Sequence, residues 1–138
     1  MALKQLMTEE VTSLPVSATV ADAAKFMTDM NVGTVVVMEG DKAVGILTDR
    51  DIMTKLIALG KDPSKAKVAE IMTSPVATVA SDKDIFDATS MMRQHKVRRL
   101  PVTENGKVVG FIALDDILMF LGGEMEDVAA VLKAELGK

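Results

Sequence analysis

The chain has 138 residues, 49% of them hydrophobic, a formal net charge of −4 and no cysteine. That length suits one compact module, and the missing thiols exclude disulfide frameworks, thiolate metal sites and cysteine nucleophiles together. Four aromatics, all Phe, on an acidic chain argue against a general nucleic-acid surface, which needs a basic face and stacking rings.

The N-terminal residues Met1 to Gln5 lack the apolar run of a signal peptide, and no stretch approaches membrane-spanning length. The expectation is a soluble, cytoplasmic protein. Beyond Gln5 the chain is written twice, at an offset of 65 residues, as from Met7 to Met72. Met7-Thr8 matches Met72-Thr73, Asp22-Ala23 matches Asp87-Ala88, Met27 matches Met92, Val44-Gly45 matches Val109-Gly110, and Asp51-Ile52 matches Asp116-Ile117. An unbroken register of this kind implies two copies of one supersecondary unit facing each other across a pseudo-twofold axis, with function in the cleft between them.

Each copy begins with a short extended segment, around Val11 or Val76. A helix follows, carried by Val20, Ala23, Ala24, Met27 and Met30 behind Ser17 as N-cap, and by Ile85, Ala88, Met92 and His95 behind Ser81 or Asp82. Next come two β-rich runs joined by a polar turn: Thr34–Met38 and Ala43–Leu47 in the first copy, Leu100–Thr103 and Val108–Ile112 in the second. Asn105-Gly106 is a hairpin signal. The period then returns to helical through Ile52, Leu56 and Leu59, and through Ile117, Phe120 and Leu121. These patterns give a first unit over residues 5–60, a linker over 61–67, a second unit over 68–122 and a separate C-terminal helix over 123–138. Gly60 ends a helix in the linker reading, and Gly122-Gly123 breaks the chain before the last helix. The Met start and helical tail suggest a whole protein.

These features resemble a tandem pair of CBS domains, a Bateman module. The resemblance covers roughly residues 5–122 and rests on the paired Met-Thr dipeptides, on Val97-Arg98-Arg99-Leu100-Pro101-Val102 and on Gly45-Ile46-Leu47-Thr48-Asp49-Arg50-Asp51. It implies an α/β fold of two βαββα-type repeats, with short sheets packed together and helices outside. It also implies a ligand sensor that binds an adenine nucleotide or S-adenosylmethionine between the repeats and associates into a homodimer.

A strand ending at Thr48 and a helix starting beside it place a hydroxyl, free N–H groups and a carboxylate at one helix N-terminus, with Arg50 in the same turn. By the resemblance Asp51 holds the ribose and Thr48 lies near ribose or phosphate. The alternative is a plain Thr-x-x-Asp N-terminal capping box. In the second copy Ala113 stands where Thr48 stood, so Asp115 is free to cap that helix and Asp116 is left for a ribose. Arg98 and Arg99 stand where the first copy has Gly33 and Thr34. They are candidate phosphate ligands, or else solvated or ion-paired side chains. For the base, the resemblance points to Ala77 and Val97 opposite Asp51, and to Thr12, Val32 and Gly33 opposite Asp116; position alone reads Val32 and Val97 as core.

His95 reads as packed or partly exposed rather than as a metal ligand or base, and no metal site or required cofactor is implied. Several of the eleven methionines, with Ile52, Leu56 and Met119, are candidates for helix faces that pair two modules. Three function classes follow: a regulatory module sensing an adenosine-containing ligand and signalling to a protein partner; a structural dimerisation module with a vestigial cleft; and an enzyme. The last lacks any visible nucleophile–base pair, metal cluster or phosphate-binding glycine loop.

Overall fold

A computed structural model describes residues 1–137 and contains four helices and six strands. The strands are β1 (Ser13–Pro15), β2 (Thr34–Glu39), β3 (Lys42–Thr48), β4 (Val79–Ala80), β5 (Arg99–Glu104) and β6 (Lys107–Ala113). The helices are α1 (Val20–Met30), α2 (Asp49–Lys55), α3 (Ile85–His95) and α4 (Leu114–Leu136). Each repeat forms one three-stranded sheet, β1-β2-β3 or β4-β5-β6, in which the first pair is parallel and the hairpin antiparallel. The fold is therefore mixed α/β, as the resemblance implies.

The duplication extends to details of the backbone. Thr34 pairs with Thr48 and Arg99 with Ala113, and the ladder slips at Val37/Met38 and again at Val102/Thr103. Helices α1 and α3 each end on a left-handed residue, Asn31 (φ 55°) and Lys96 (φ 56°). The central strands are apolar because both of their faces are covered: Val35, Val36 and Val37 are buried, as are Leu100, Pro101 and Val102.

Two apolar cores lie behind the sheets, and the chain is exchanged between them. The first core holds Val20, Val35, Val37, Leu47 and Leu56, and takes in Val68 and Ile71 from the leading turn of the second repeat. The other holds Val79, Leu100, Ile112 and Ile117, and takes in Leu3 from the leading turn of the first repeat. The Met-Thr dipeptides follow the same rule. Thr8 bridges to Phe111 on β6 and Thr73 to Ile46 on β3. Gly110 and Gly45 are what allow this approach. A Cβ on Gly110 would lie 2.6 Å from the Thr8 carbonyl oxygen, and one on Gly45 would overlap the Met72 side chain.

The structure departs from the sequence pattern at several points. The N-caps are Thr19 and Asp84, not Ser17 and Ser81 or Asp82; each closes a reciprocal capping box, with Asp22 and Asp87. No break occurs at Gly122-Gly123, since α4 runs through both glycines as one helix; Lys138, the end of the expected separate helix, lies outside the described residues. Leu56, Met27 and Met92 are buried in the cores, so they are unavailable to a dimer face, whereas Met53 and Met119 are exposed. Among the described residues no helix is long and apolar enough to cross a membrane.

Candidate functional site

A cleft of about 710 Å³ opens between the repeats. Strand β3 delivers Thr48 to its edge, and the start of α2 supplies Asp49, Arg50 and Asp51. Ala77, before β4, and Val97, before β5, form the facing wall from the second repeat. Gly33 and Thr34 line the cleft from the first repeat, and Arg98, Arg99 and Ala113 from the second.

The Thr48–Asp51 geometry satisfies the capping reading. The Asp51 backbone N–H donates to Thr48 Oγ1 at 3.1 Å, and the Thr48 N–H donates to Asp51 Oδ2 at 3.0 Å. Being in a cap does not remove the carboxylate from the cleft wall, which Asp51 still lines. Its other oxygen, Oδ1, meets Lys55 Nζ at 3.1 Å, one helical turn on. Lys55 Nζ also donates to the Ile71 carbonyl at 3.3 Å, tying the helix-end acid to the segment that crosses between repeats.

In the second repeat the expected division of labour is reversed. Asp116, not Asp115, serves the helix end, its Oδ2 accepting the Ala113 N–H at 3.0 Å. Asp115 turns to Arg98, 3.3 Å away, in an ion pair exposed on both sides. The Leu114 N–H donates to the Arg98 carbonyl at 2.8 Å, which fixes Arg98 beside the start of α4; the matching bond runs from Asp49 to Gly33 at 3.0 Å. Arg99 stays exposed.

A smaller cleft of about 320 Å³ lies on the Asp116 side, and Thr12, Val32, Thr34, Arg99 and Ala113 line it with Asp116. Thr12 Oγ1 donates to the Thr34 carbonyl at 3.2 Å, so this hydroxyl is partly engaged. Gly33 is not on this side. It lines the larger cleft, where a Cβ would come 3.1 Å from Asp49 Oδ2. Val97 is 37% exposed, hence not the core residue that position alone suggests, and Val32 is half-buried.

The larger cleft also contains residues that sequence reasoning did not assign to it: Thr73, Pro75, Val76, His95 and Lys96. His95 is exposed at the end of α3. The smaller cleft adds Thr8, Glu10, Met30 and Phe111. Lys55 was missed as well, although its spacing of four residues from Asp51 is a helical ion-pair signal. Charge separates the two clefts. The larger is rimmed by Arg50, Lys96, Arg98 and Arg99 against three aspartates, while the smaller has Arg99 alone against Glu10, Asp115 and Asp116. An anionic ligand is thus better accommodated in the larger one. Among the described residues no group of three or more His, Cys, Asp or Glu side chains is placed to hold a metal ion.

Comparison with known proteins agrees with the fold. The CBS domain family matches residues 3–58 and 68–123. The CBS domain-containing protein YhcV of Bacillus subtilis is 34% identical over 116 residues, 84% of this chain and 82% of that protein. A crystal structure of Hypoxic Response Protein I with two coordinated zinc ions superposes with a TM-score of 0.80 at 30% identity, covering 86% of this chain and 98% of the other. The CBS domain protein PAE2072 from Pyrobaculum aerophilum, complexed with AMP, gives a TM-score of 0.76 at 27% identity, over 84% and 89% of the two chains. The chain belongs to the CBS domain family and carries two of its domains in tandem.

Proposed function

We propose that the repeats 5–60 and 68–122 together form a cytoplasmic regulatory module that binds an adenosine-containing ligand in the larger cleft and signals to a protein partner without turning the ligand over. AMP, ADP, ATP and S-adenosylmethionine are the candidates. The observation that carries this reading is the meeting of Asp51 and Thr48 from one repeat with Ala77 and Val97 from the other around one opening. A helix-end acid for ribose hydroxyls, an apolar wall for a base and a rim of guanidinium groups for phosphate are the three chemistries that a nucleotide requires. The volume lies inside the range of about 300–1,000 Å³ common for small-molecule sites. The AMP complex of PAE2072 supports the same ligand class.

Calorimetry with the four candidates tests it. At least one binds in the micromolar range, and Asp51→Ala weakens that binding by about 1–3 kcal/mol through loss of a charged hydrogen bond. Unchanged binding in Asp51→Ala removes the ribose assignment, and no binding by any candidate removes the sensor. A structural homodimer with a vestigial cleft is then the remaining reading. It is favoured by the smaller cleft, whose helix end carries Ala113 in place of a hydroxyl and whose volume is at the bottom of the useful range. In that case no nucleotide raises the melting temperature, while substitutions on the exposed faces of the helices separate the copies.

A further inference from the structure

We propose that the second half of α4 pairs with the same helix of a second copy of this chain as a two-stranded coiled coil. Helix α4 leaves its own core at Ile117, and every described residue from Leu121 onward is exposed. Leu118, Leu121, Met125, Val128 and Leu132 lie at alternating steps of three and four residues, the spacing of a coiled-coil seam rather than of a helix packed on a globular core. Their exposure ranges from 41% to 73%. An isolated helical segment this short is marginal in water, and it gains its stability by packing its apolar face. The seam cannot fold back on its own module, because α4 has no hinge: it passes straight through Gly122 and Gly123.

The flanks of the seam indicate an identical copy. Gly122, Ala129 and Leu136 border it on one side and Glu124 and Val131 on the other. Charged flanks are what select a different partner in such pairs, and like charges would repel a second copy; a single glutamate does neither. Covering the five seam residues and Leu136 in both copies removes on the order of 1,000 Å² from water, at the lower bound for a specific interface. A membrane surface fits poorly, since Glu124, Glu126 and Asp127 surround the helix where an interfacial helix carries lysine and arginine.

Sedimentation and hydrogen exchange on the full chain test this. The wild type sediments as a species of at least two copies, and amides of residues 124–134 exchange slowly at high concentration and quickly after dilution. The double variant Val128→Asp/Leu132→Asp exchanges quickly there at every concentration, with the melting temperature of the CBS repeats unchanged. Ala130→Asp, on the opposite face of the helix, retains the wild-type behaviour. A monomeric wild type, whether or not its helix binds vesicles or another protein, overturns the proposal. So does protection of residues 124–134 that ignores dilution or survives the double substitution.

Discussion

At the scale of single residues, the two helix-end acids carry the difference between the sites. Asp51 shares its charge with Lys55, whereas Phe120 occupies the matching position after Asp116. Lys55→Met releases Asp51 Oδ1 for a ribose hydroxyl and leaves a full negative charge near any phosphate. The preference for AMP over adenosine should fall by a factor on the order of ten, read by competition calorimetry; an unchanged ratio means that Lys55 does not act on the ligand. Lys96 offers a second prediction. It holds a left-handed conformation that costs about 1–2 kcal/mol for a residue with a Cβ, and its counterpart in the first repeat is Asn31, a residue that tolerates it better. Lys96→Asn should stabilise the protein, seen as a higher urea midpoint. These distinctions were only partly legible in the sequence. The Thr48-x-x-Asp51 spacing announced a cap, but the loss of the hydroxyl at Ala113 pointed to Asp115 for the other helix end, whereas the third helical residue serves it in both repeats, Asp51 in one and Asp116 in the other.

Among the elements, two helix caps and the linker turn at Asp62 govern behaviour in acid. The Asp22 carboxyl is held below the ordinary carboxylate value by the Thr19 hydroxyl and backbone N–H, and Asp62 likewise by the Ser64 hydroxyl and N–H. Asp84 is lowered chiefly by the Asp87 backbone N–H. A carboxyl with a depressed folded-state value contributes stability that is complete above its ordinary value and lost as the pH falls through the lowered one. As far as these groups go, urea midpoints should therefore be independent of pH near neutrality, where their contribution is complete, and decline in acid. Ser64→Ala should flatten that decline, and an identical slope in the variant would exclude the Asp62 contribution. The hairpin strands and the helices were legible, because β-rich runs joined by polar turns and a helical period recur in both copies, whereas the leading strands lie two or three residues beyond the expected Val11 and Val76. The caps were misplaced by two or three residues, since Ser17 competes with Thr19, and Ser81 and Asp82 with Asp84, for one role. The glycine pair in α4 misled for a related reason: propensity disfavours glycine in a helix by about 1 kcal/mol each, which a well-anchored start at Ile117 can outweigh.

For the whole molecule, the exchange of leading segments matters most. Leu3 is fully buried in the core of the second repeat, so Leu3→Ala should cost about 2–5 kcal/mol although it lies near the chain terminus. Gly110→Ala should be more damaging than Gly45→Ala, because the first drives a Cβ into backbone and the second into a flexible methionine; matched melting curves compare them. Either repeat expressed alone lacks the leading turn that completes its core and half of the cleft wall, so it should lose ligand binding and most of its stability. The sharing of the cleft wall is what the resemblance implies, but the exchange of leading segments between the cores was not legible from the sequence. A perfect repeat is indifferent to which sheet each Met-Thr segment joins, and the answer depends on Gly45 and Gly110 admitting the opposite strand.

During synthesis this arrangement makes the halves mature in a set order. Once Val68 and Ile71 have left the ribosome, the first core has everything it needs and can close, using residues that belong to the next repeat. Leu3, although it is made before either sheet, has no place to go until Ile112 and Ile117 have emerged. The segment around Leu3 is thus the latch that is thrown last.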